Sequence, residues 1–179
     1  MDRNLGASQV ATSSTDADAY GDLYQWGRAA DGHQCRNSAT TSTLSSTDQP
    51  GHEDFILNNS LPKDWRSPQN ENLWQGVNGT NNPCPNGYRL PTDVEWESEF
   101  GNWSSYNASG AFDSPLKLPL TGYRHVGNGS LGNLGSHGNY WSSTVNPTAA
   151  LHINFYSSSV TINSSSRAVG LAIRCIKGQ

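Results

Sequence analysis

The run Leu151-His152-Ile153-Asn154-Phe155-Tyr156 alternates apolar and polar side chains, and the alternation resumes in Ser159-Val160-Thr161-Ile162-Asn163. A period of two is the mark of a strand with one buried face. Leu151, Ile153, Phe155, Val160 and Ile162 share one side. His152, Asn154, Tyr156, Ser159, Thr161 and Asn163 share the other. The small polar residues from Tyr156 to Ser159 read as a turn, so the two runs form a hairpin. Tyr140–Thr144 adds a short aromatic strand before it. Leu171, Ile173 and Cys175 read as a last alternating strand.

A second signal lies upstream, in Leu90-Pro91-Thr92-Asp93-Val94-Glu95-Trp96-Glu97. Thr92 is placed to cap a helix, and Glu95, three residues on, completes a capping box. Asp93, Glu95, Glu97 and Glu99 put negative charge where the helix dipole favours it. Trp96, Phe100 and Trp103 fall on one helical face. The spacing predicts a helix over 93–103, ending near Ser104. One or two helices with a mostly antiparallel sheet make an α+β fold.

The chain has 179 residues, the length of one domain. Only 34% are hydrophobic and 15% charged, against roughly 45–50% and 25% in ordinary domains. Asn, Ser, Thr and Gly fill the difference. Disordered chains are apolar-poor but charge-rich, whereas this one is poor in both. Its six Trp, seven Tyr and four Phe carry enough area for a core. A net charge of −4 excludes a generally basic nucleic-acid binder. No apolar run approaches the roughly 18–20 residues of a membrane helix, so membrane insertion is not expected. Met1 leads straight into Asp2, Arg3 and Asn4, unlike a signal peptide. All fifteen acidic residues lie at or before Asp113. No Pro/Gly linker follows it, so residues 1–179 read as a single domain with two differently composed parts.

Residues 1–60 hold few periodic elements. Tyr20–Arg28 is aromatic-rich, a short helix or a core-inserted turn. Residues 37–50 are largely Ser and Thr, a surface loop. In the Asn-, Gln-, Gly- and Pro-rich stretch 66–83, Leu73, Trp74 and Val77 are the anchors. Cys35, Cys84 and Cys175 form no CxxC pair, which argues against a cysteine-rich zinc site. One disulfide with one thiol left over fits the count, Cys84–Cys175 being the preferred pair. Three reduced, buried thiols fit it equally.

Catalytic signatures are thin. A Ser-His-acid triad needs an exposed nucleophile, but there is no Gly-x-Ser-x-Gly elbow, only the Gly-rich loop Gly129-Ser130-Leu131-Gly132. His125, His137 and His152 offer three imidazoles to a metal, but no acid accompanies them. Ordinary surface histidines are the preferred reading. Asp16, Asp18 and Asp22 lack the Gly and terminal Glu of an EF-hand. No cofactor is expected, and a structural Ca²⁺ on the long loops is left open. Sequons at Asn58, Asn78, Asn102, Asn107, Asn128 and Asn163 carry little weight in so Asn- and Ser-rich a chain.

Several stretches together resemble a known group: Met1-Asp2-Arg3-Asn4-Leu5-Gly6-Ala7, Tyr24-Gln25-Trp26-Gly27-Arg28, Asp31-Gly32-His33-Gln34, Cys84-Pro85-Asn86-Gly87-Tyr88-Arg89-Leu90-Pro91-Thr92, Gly138-Asn139-Tyr140-Trp141-Ser142-Ser143 and Ile173-Arg174-Cys175. They look like the Fibrobacter-type major paralogous domain, which is similar to the formylglycine-generating-enzyme branch of the C-type lectin fold. The resemblance implies a C-type-lectin-like domain with long irregular loops. The C-terminal part, from Gly122-Tyr123-Arg124 through Tyr140-Trp141-Ser142-Ser143 to Arg167-Ala168-Val169-Gly170, also resembles the variable region of diversity-generating retroelement proteins. There, adenines in Asn codons are mutated during reverse transcription. Such a codon yields Asn, Ser, Tyr, His, Thr, Ala, Val or Leu among others, but never Lys, Glu, Gln, Met or Trp. Residues 145–173 contain none of those five, an absence with a chance of roughly a few per cent on this composition. Oxidases of the implied fold depend on a closely spaced cysteine pair near the C-terminus that handles copper. Here that region holds only Cys175, so no enzymatic activity is expected.

The resemblance implies a binding face within residues 122–176. A core change costs ~2–5 kcal/mol and a surface change usually under ~0.5, so variation belongs on the outward side of the hairpin. His152, Tyr156, Ser159 and Thr161 lie there and are products of mutated Asn codons. Ser164, Ser165, Ser166, Val169 and Leu171 continue the surface beyond the strands. His125, Val126, His137 and Ala149 are outlying members on preceding loops. Tyr, Ser and Asn give adaptable, paratope-like contacts, with Tyr156 and His152 as the expected anchors. The expected ligand is a protein or surface glycan, bound at short range with little salt dependence. The alternatives are a fixed adhesion or envelope domain of the same family and, less favoured, the oxidase. The abrupt start at a family motif suggests a preceding region, so the chain is a monomer or the C-terminal part of a larger protein. By resemblance, the location is a cell envelope or a phage tail.

Overall fold

The alternating runs form a three-stranded antiparallel meander, and the rest of the chain wraps around it in short strands and loops. The computed structural model describes residues 1–178. In chain order the strands are β1 (Tyr24–Gln25), β2 (Thr40–Thr41), β3 (Phe55–Ile56) and β4 (Tyr88–Arg89). Helices α1 (Asp93–Phe100) and α2 (Ala108–Asp113) follow. Next come β5 (Tyr123–Arg124), β6 (Leu131–Gly132), β7 (Gly138–Asn146), β8 (Ala149–Tyr156), β9 (Ser159–Ser165), β10 (Gly170–Leu171) and β11 (Ile176–Lys177). The architecture is α+β. β7-β8-β9 is the main sheet, β1-β10-β5-β6 a second, and β11-β4 and the parallel β2-β3 are two-stranded pairs.

The expected hairpin is present: Ile153 faces Ile162, Phe155 faces Val160 and Tyr156 faces Ser159. Ile153 and Phe155 are fully buried, against Tyr140, Trp96 and Trp103. The Phe155 ring lies over Gly138, its partner in the ladder, where a Cβ would meet the ring at 2.1 Å.

Helix α1 begins as expected. The Thr92 hydroxyl accepts from the Glu95 backbone N–H at 3.2 Å, and the Glu95 carboxylate accepts from the Thr92 backbone N–H at 2.8 Å. Arg89 adds two contacts to the same carboxylate, at 2.7 and 2.8 Å. The helix is shorter than the predicted 93–103: it stops at Phe100 and passes through Gly101 into a turn. Trp103 still buries its ring in that turn, donating to Glu99 Oε1.

The predicted last alternating strand is not continuous. Leu171, Ala172, Ile173, Arg174 and Cys175 are all buried, so there is no exposed parity to read. The segment passes between two core clusters: Leu171, Ile173 and Cys175 belong to one and Ala172 to the other. Ala172 bonds β7 through the Asn139 carbonyl and the Trp141 N–H. Cys175 is bridged to Cys84, 91 residues away in sequence, and Cys35 is an exposed free thiol. Of the alternatives for the cysteines, the single disulfide is the one formed.

All six tryptophans are buried. Each indole N–H has an acceptor, from the Ser142 carbonyl for Trp26 to the Tyr24 carbonyl for Trp141. Such pairing removes the cost of burying a polar group with a large ring. Arg28, Arg124, Arg167 and Arg174 are also buried, and most of their bonds go to backbone carbonyls of the loops. The guanidinium fork fixes several carbonyls at once. Loops with no ladder of their own therefore satisfy their backbone groups and hold one shape.

Candidate binding site on the central sheet

A cavity of about 290 Å³ opens on the face of β7–β9 opposite Ile153 and Phe155. His152, Asn139, Asn154, His137, Val169 and Leu171 are among the residues that line it. The alternation of β8 aims His152 and Asn154 here. The β8–β9 register brings Asn163 opposite His152 and Thr161 opposite Asn154.

The polar groups are held in place. Asn154 Nδ2 donates to Asn139 Oδ1 at 2.8 Å, and Asn139 Nδ2 donates to the Gly122 carbonyl at 3.2 Å. His152 Nε2 is 3.0 Å from Ser165 Oγ, and its ring stands edge-on to Trp141 with centroids 5.7 Å apart. His137, which lines the cavity, stacks on Tyr156 at 5.0 Å with planes 26° apart.

Burial pushes the His152 imidazole down to about 4, which leaves it neutral at pH 7. The His152–Ser165 pair has the spacing of a nucleophile and base. However, a base this weak sits far from the optimum for proton transfer near neutral pH. Its Nδ1 faces only the Ile153 carbonyl, at 3.3 Å, where a triad would place a carboxylate. Among the described residues, no acidic one lines the cavity. The arrangement suits recognition by shape and hydrogen bonding.

The cavity brings together His137, His152, Ser164, Ser165, Val169 and Leu171 of the sequence-derived candidates. Tyr156 joins through its stack on His137, and Ser159 and Thr161 extend the same face by register. The remaining candidates lie elsewhere. His125 is half-buried in its own turn, where Nδ1 accepts from the Gly127 N–H. Val126 is packed into the core. Ala149, at the start of β8, gives its carbonyl to Arg167, and Ser166 accepts the Val169 N–H in a turn.

Three expectations need correction. His152 is not a solvent-facing anchor: it points away from Ile153 as expected but is only 4% exposed, because Trp141 and Ser165 pack against it. It is therefore not an ordinary surface histidine either. Leu171, expected on the surface, is 2% exposed in the core and reaches the cavity only as wall. Val126, also expected on the surface, is buried.

Tyr123, Asn133, Asn139, Asn154 and Asn163 line the cavity but are not among the candidates. Parity alone places Asn154 and Asn163 on this face. Asn is itself an outcome of a mutated Asn codon, so both fit the same reasoning as Tyr156 and Thr161. Nothing local in the sequence marks Tyr123 or Asn133, which arrive from the β5–β6 hairpin.

A larger cavity, about 660 Å³, is elsewhere, among Ala29, Asp31, Gly51 and His52–Asp54. Its inner wall is structural: Arg28 holds the carbonyls of His52 and Asp54 and the Asp31 carboxylate. Compared with family models, with curated proteins and with solved structures, the chain matches none.

Proposed function

We propose that this α+β domain is a binding module of the C-type lectin type, from the formylglycine-generating-enzyme-like branch. On this reading, its 122–176 region is diversified by a retroelement and grips a protein or glycan on a cell or phage surface. The observation that carries the reading is the division of labour in the β8–β9 hairpin. Ile153 and Phe155 are sealed in the core, while Tyr156, Ser159, Thr161 and Asn163 stand on the other face around a ready-made cavity. Replacements on that face cost little because no core contact is lost. The locked loops supply pre-organisation, which limits the entropy lost on binding.

The cysteines favour binding over oxidation. Cys175 is bonded to Cys84, and the remaining thiol, Cys35, lies outside the C-terminal region. The decisive test is genetic. The neighbouring DNA should encode a reverse transcriptase and a near-copy of codons 122–176 that differs only at adenines. If neither is there, diversification is refuted and a fixed adhesion or envelope domain takes its place.

A further inference from the structure

We propose that the cavity on the central sheet holds one uncharged pyranose ring of a glycan, bound directly and without a bridging metal ion. This deepens the binding-module reading and rests on it. The argument comes from what the walls offer.

Among the described residues, no Asp, Glu, Lys or Arg lines the cavity. A carboxylated sugar would lie there with no cation to meet it, and burying an unpaired charge is costly. A bridging cation of the calcium kind would find no carboxylate, its usual oxygen ligand. The uncharged polar groups, by contrast, are plentiful and partly unused. Among the described residues, the Asn133 and Asn163 amides have no protein partner, and Asn154 Oδ1 has none once its Nδ2 is given to Asn139. A primary amide offers a donor and an acceptor side by side, and adjacent sugar hydroxyls offer the same pair in return.

The apolar requirement is met as well. The rings of Tyr123 and His137 line the cavity with Val169 and Leu171, and His137 is braced from outside by its stack on Tyr156. A pyranose has one face of C–H groups that packs on an aromatic ring. The volume, about 290 Å³, lies just under the roughly 300–1,000 Å³ range of small-molecule sites. It is room for one ring with its hydroxyls. His152 and Asn139 are already fixed by bonds of their own, so the site forms without reordering.

The test titrates the folded chain with glucose, galactose, mannose and N-acetylglucosamine, and in parallel with glucuronic and N-acetylneuraminic acids. Saturation-transfer NMR and calorimetry give the readout. At least one neutral sugar should saturate the protein in the millimolar range, unchanged by EDTA or by added salt. Asn154→Ala and Tyr156→Ala should each weaken that sugar by about tenfold, and melting curves should show both variants folded. Leu61→Ser, at an exposed position outside this cavity, should bind as the parent does.

If no neutral sugar binds, or only the acidic ones do, or EDTA abolishes binding, or both variants bind normally, the assignment is wrong. A protein ligand gripped by Tyr156 and Thr161 in a chain that ignores all the sugars would overturn the sugar while leaving the binding module intact. Absence of the template repeat would overturn the diversification and leave the sugar site standing in a fixed binding domain.

Discussion

Replacing Gly138 by Ala tests the inward face of the central sheet. A Cβ on Gly138 would sit 2.1, 2.3 and 2.7 Å from three carbons of the Phe155 ring, where carbon atoms prefer about 3.5–4.0 Å. Something must move by more than about 1 Å. The ring has no free direction: it is fully buried, edge-on to Trp103 at 5.6 Å and stacked on Tyr140 at 5.9 Å. The φ of Gly138 is outside the left-handed region, so the cost is steric alone. Overpacking of this kind costs about 1–3 kcal/mol. At about 2–4 °C per kcal/mol for a chain of this size, the melting temperature should fall by roughly 2–12 °C. Phe155→Leu removes the ring edge and destabilises by itself through the space it leaves. Combining the two should cost less than the sum, with a coupling of about 0.5–3 kcal/mol. Urea unfolding of the parent, both single variants and the double variant gives all the terms. If Gly138→Ala is neutral, or the two costs simply add, the ring does not lie over Gly138. The assignment of the two faces would then fall with it.

Tyr156→Ala and Thr161→Ala should each change unfolding free energy by no more than about 0.5–1 kcal/mol. A larger loss in a melting experiment would mean that these residues support the fold. Burial holds His152 and His33 at about 4, below the 6.5 of free imidazole. At these two sites the unfolded chain therefore binds more protons between pH 6.5 and 4, so their contribution to stability should fall as pH drops through that window and level off below it, where Glu95, held down at about 2 by Arg89, takes over the loss. His152→Gln should remove part of that slope in urea titrations at several pH values; an unchanged slope would show that the folded imidazole protonates freely. Without reductant, iodoacetamide should label Cys35 alone. Cys84→Ser with Cys175→Ser, which opens a loop spanning 91 positions, should cost about 2–5 kcal/mol, and labelling of three thiols in the untreated parent would contradict the bridge.

The elements legible in the sequence are those with local causes. The Thr92–Glu95 capping box announces α1, and the period-two pattern announces β8 and β9 with their correct faces. Strands two residues long, such as β1 and β10, leave no pattern to detect. Apart from Gly129, the carbonyls bonded by Arg124 and Arg167 are distant in the chain, so little near either arginine foretells its burial. His152 shows the limit of parity. Alternation says which side of a sheet a residue takes, but not whether that side is open or packed. Here Trp141 and Ser165 close over the imidazole while Tyr156, four residues along the same face, stays half open. The amide pair Asn139–Asn154 depended on the register of β7 against β8, which no single strand reveals.

The two-residue turn at Ser157-Ser158 has an evolutionary consequence. It locks Tyr156 across from Ser159, and a strand has no way to absorb a frame offset of one position without turning every side chain over. One extra residue after the turn would push Val160 and Ile162 toward water and drive their polar neighbours into the interior. This patch can therefore be rewritten letter by letter but cannot be lengthened. Any process that renews it must substitute and never insert.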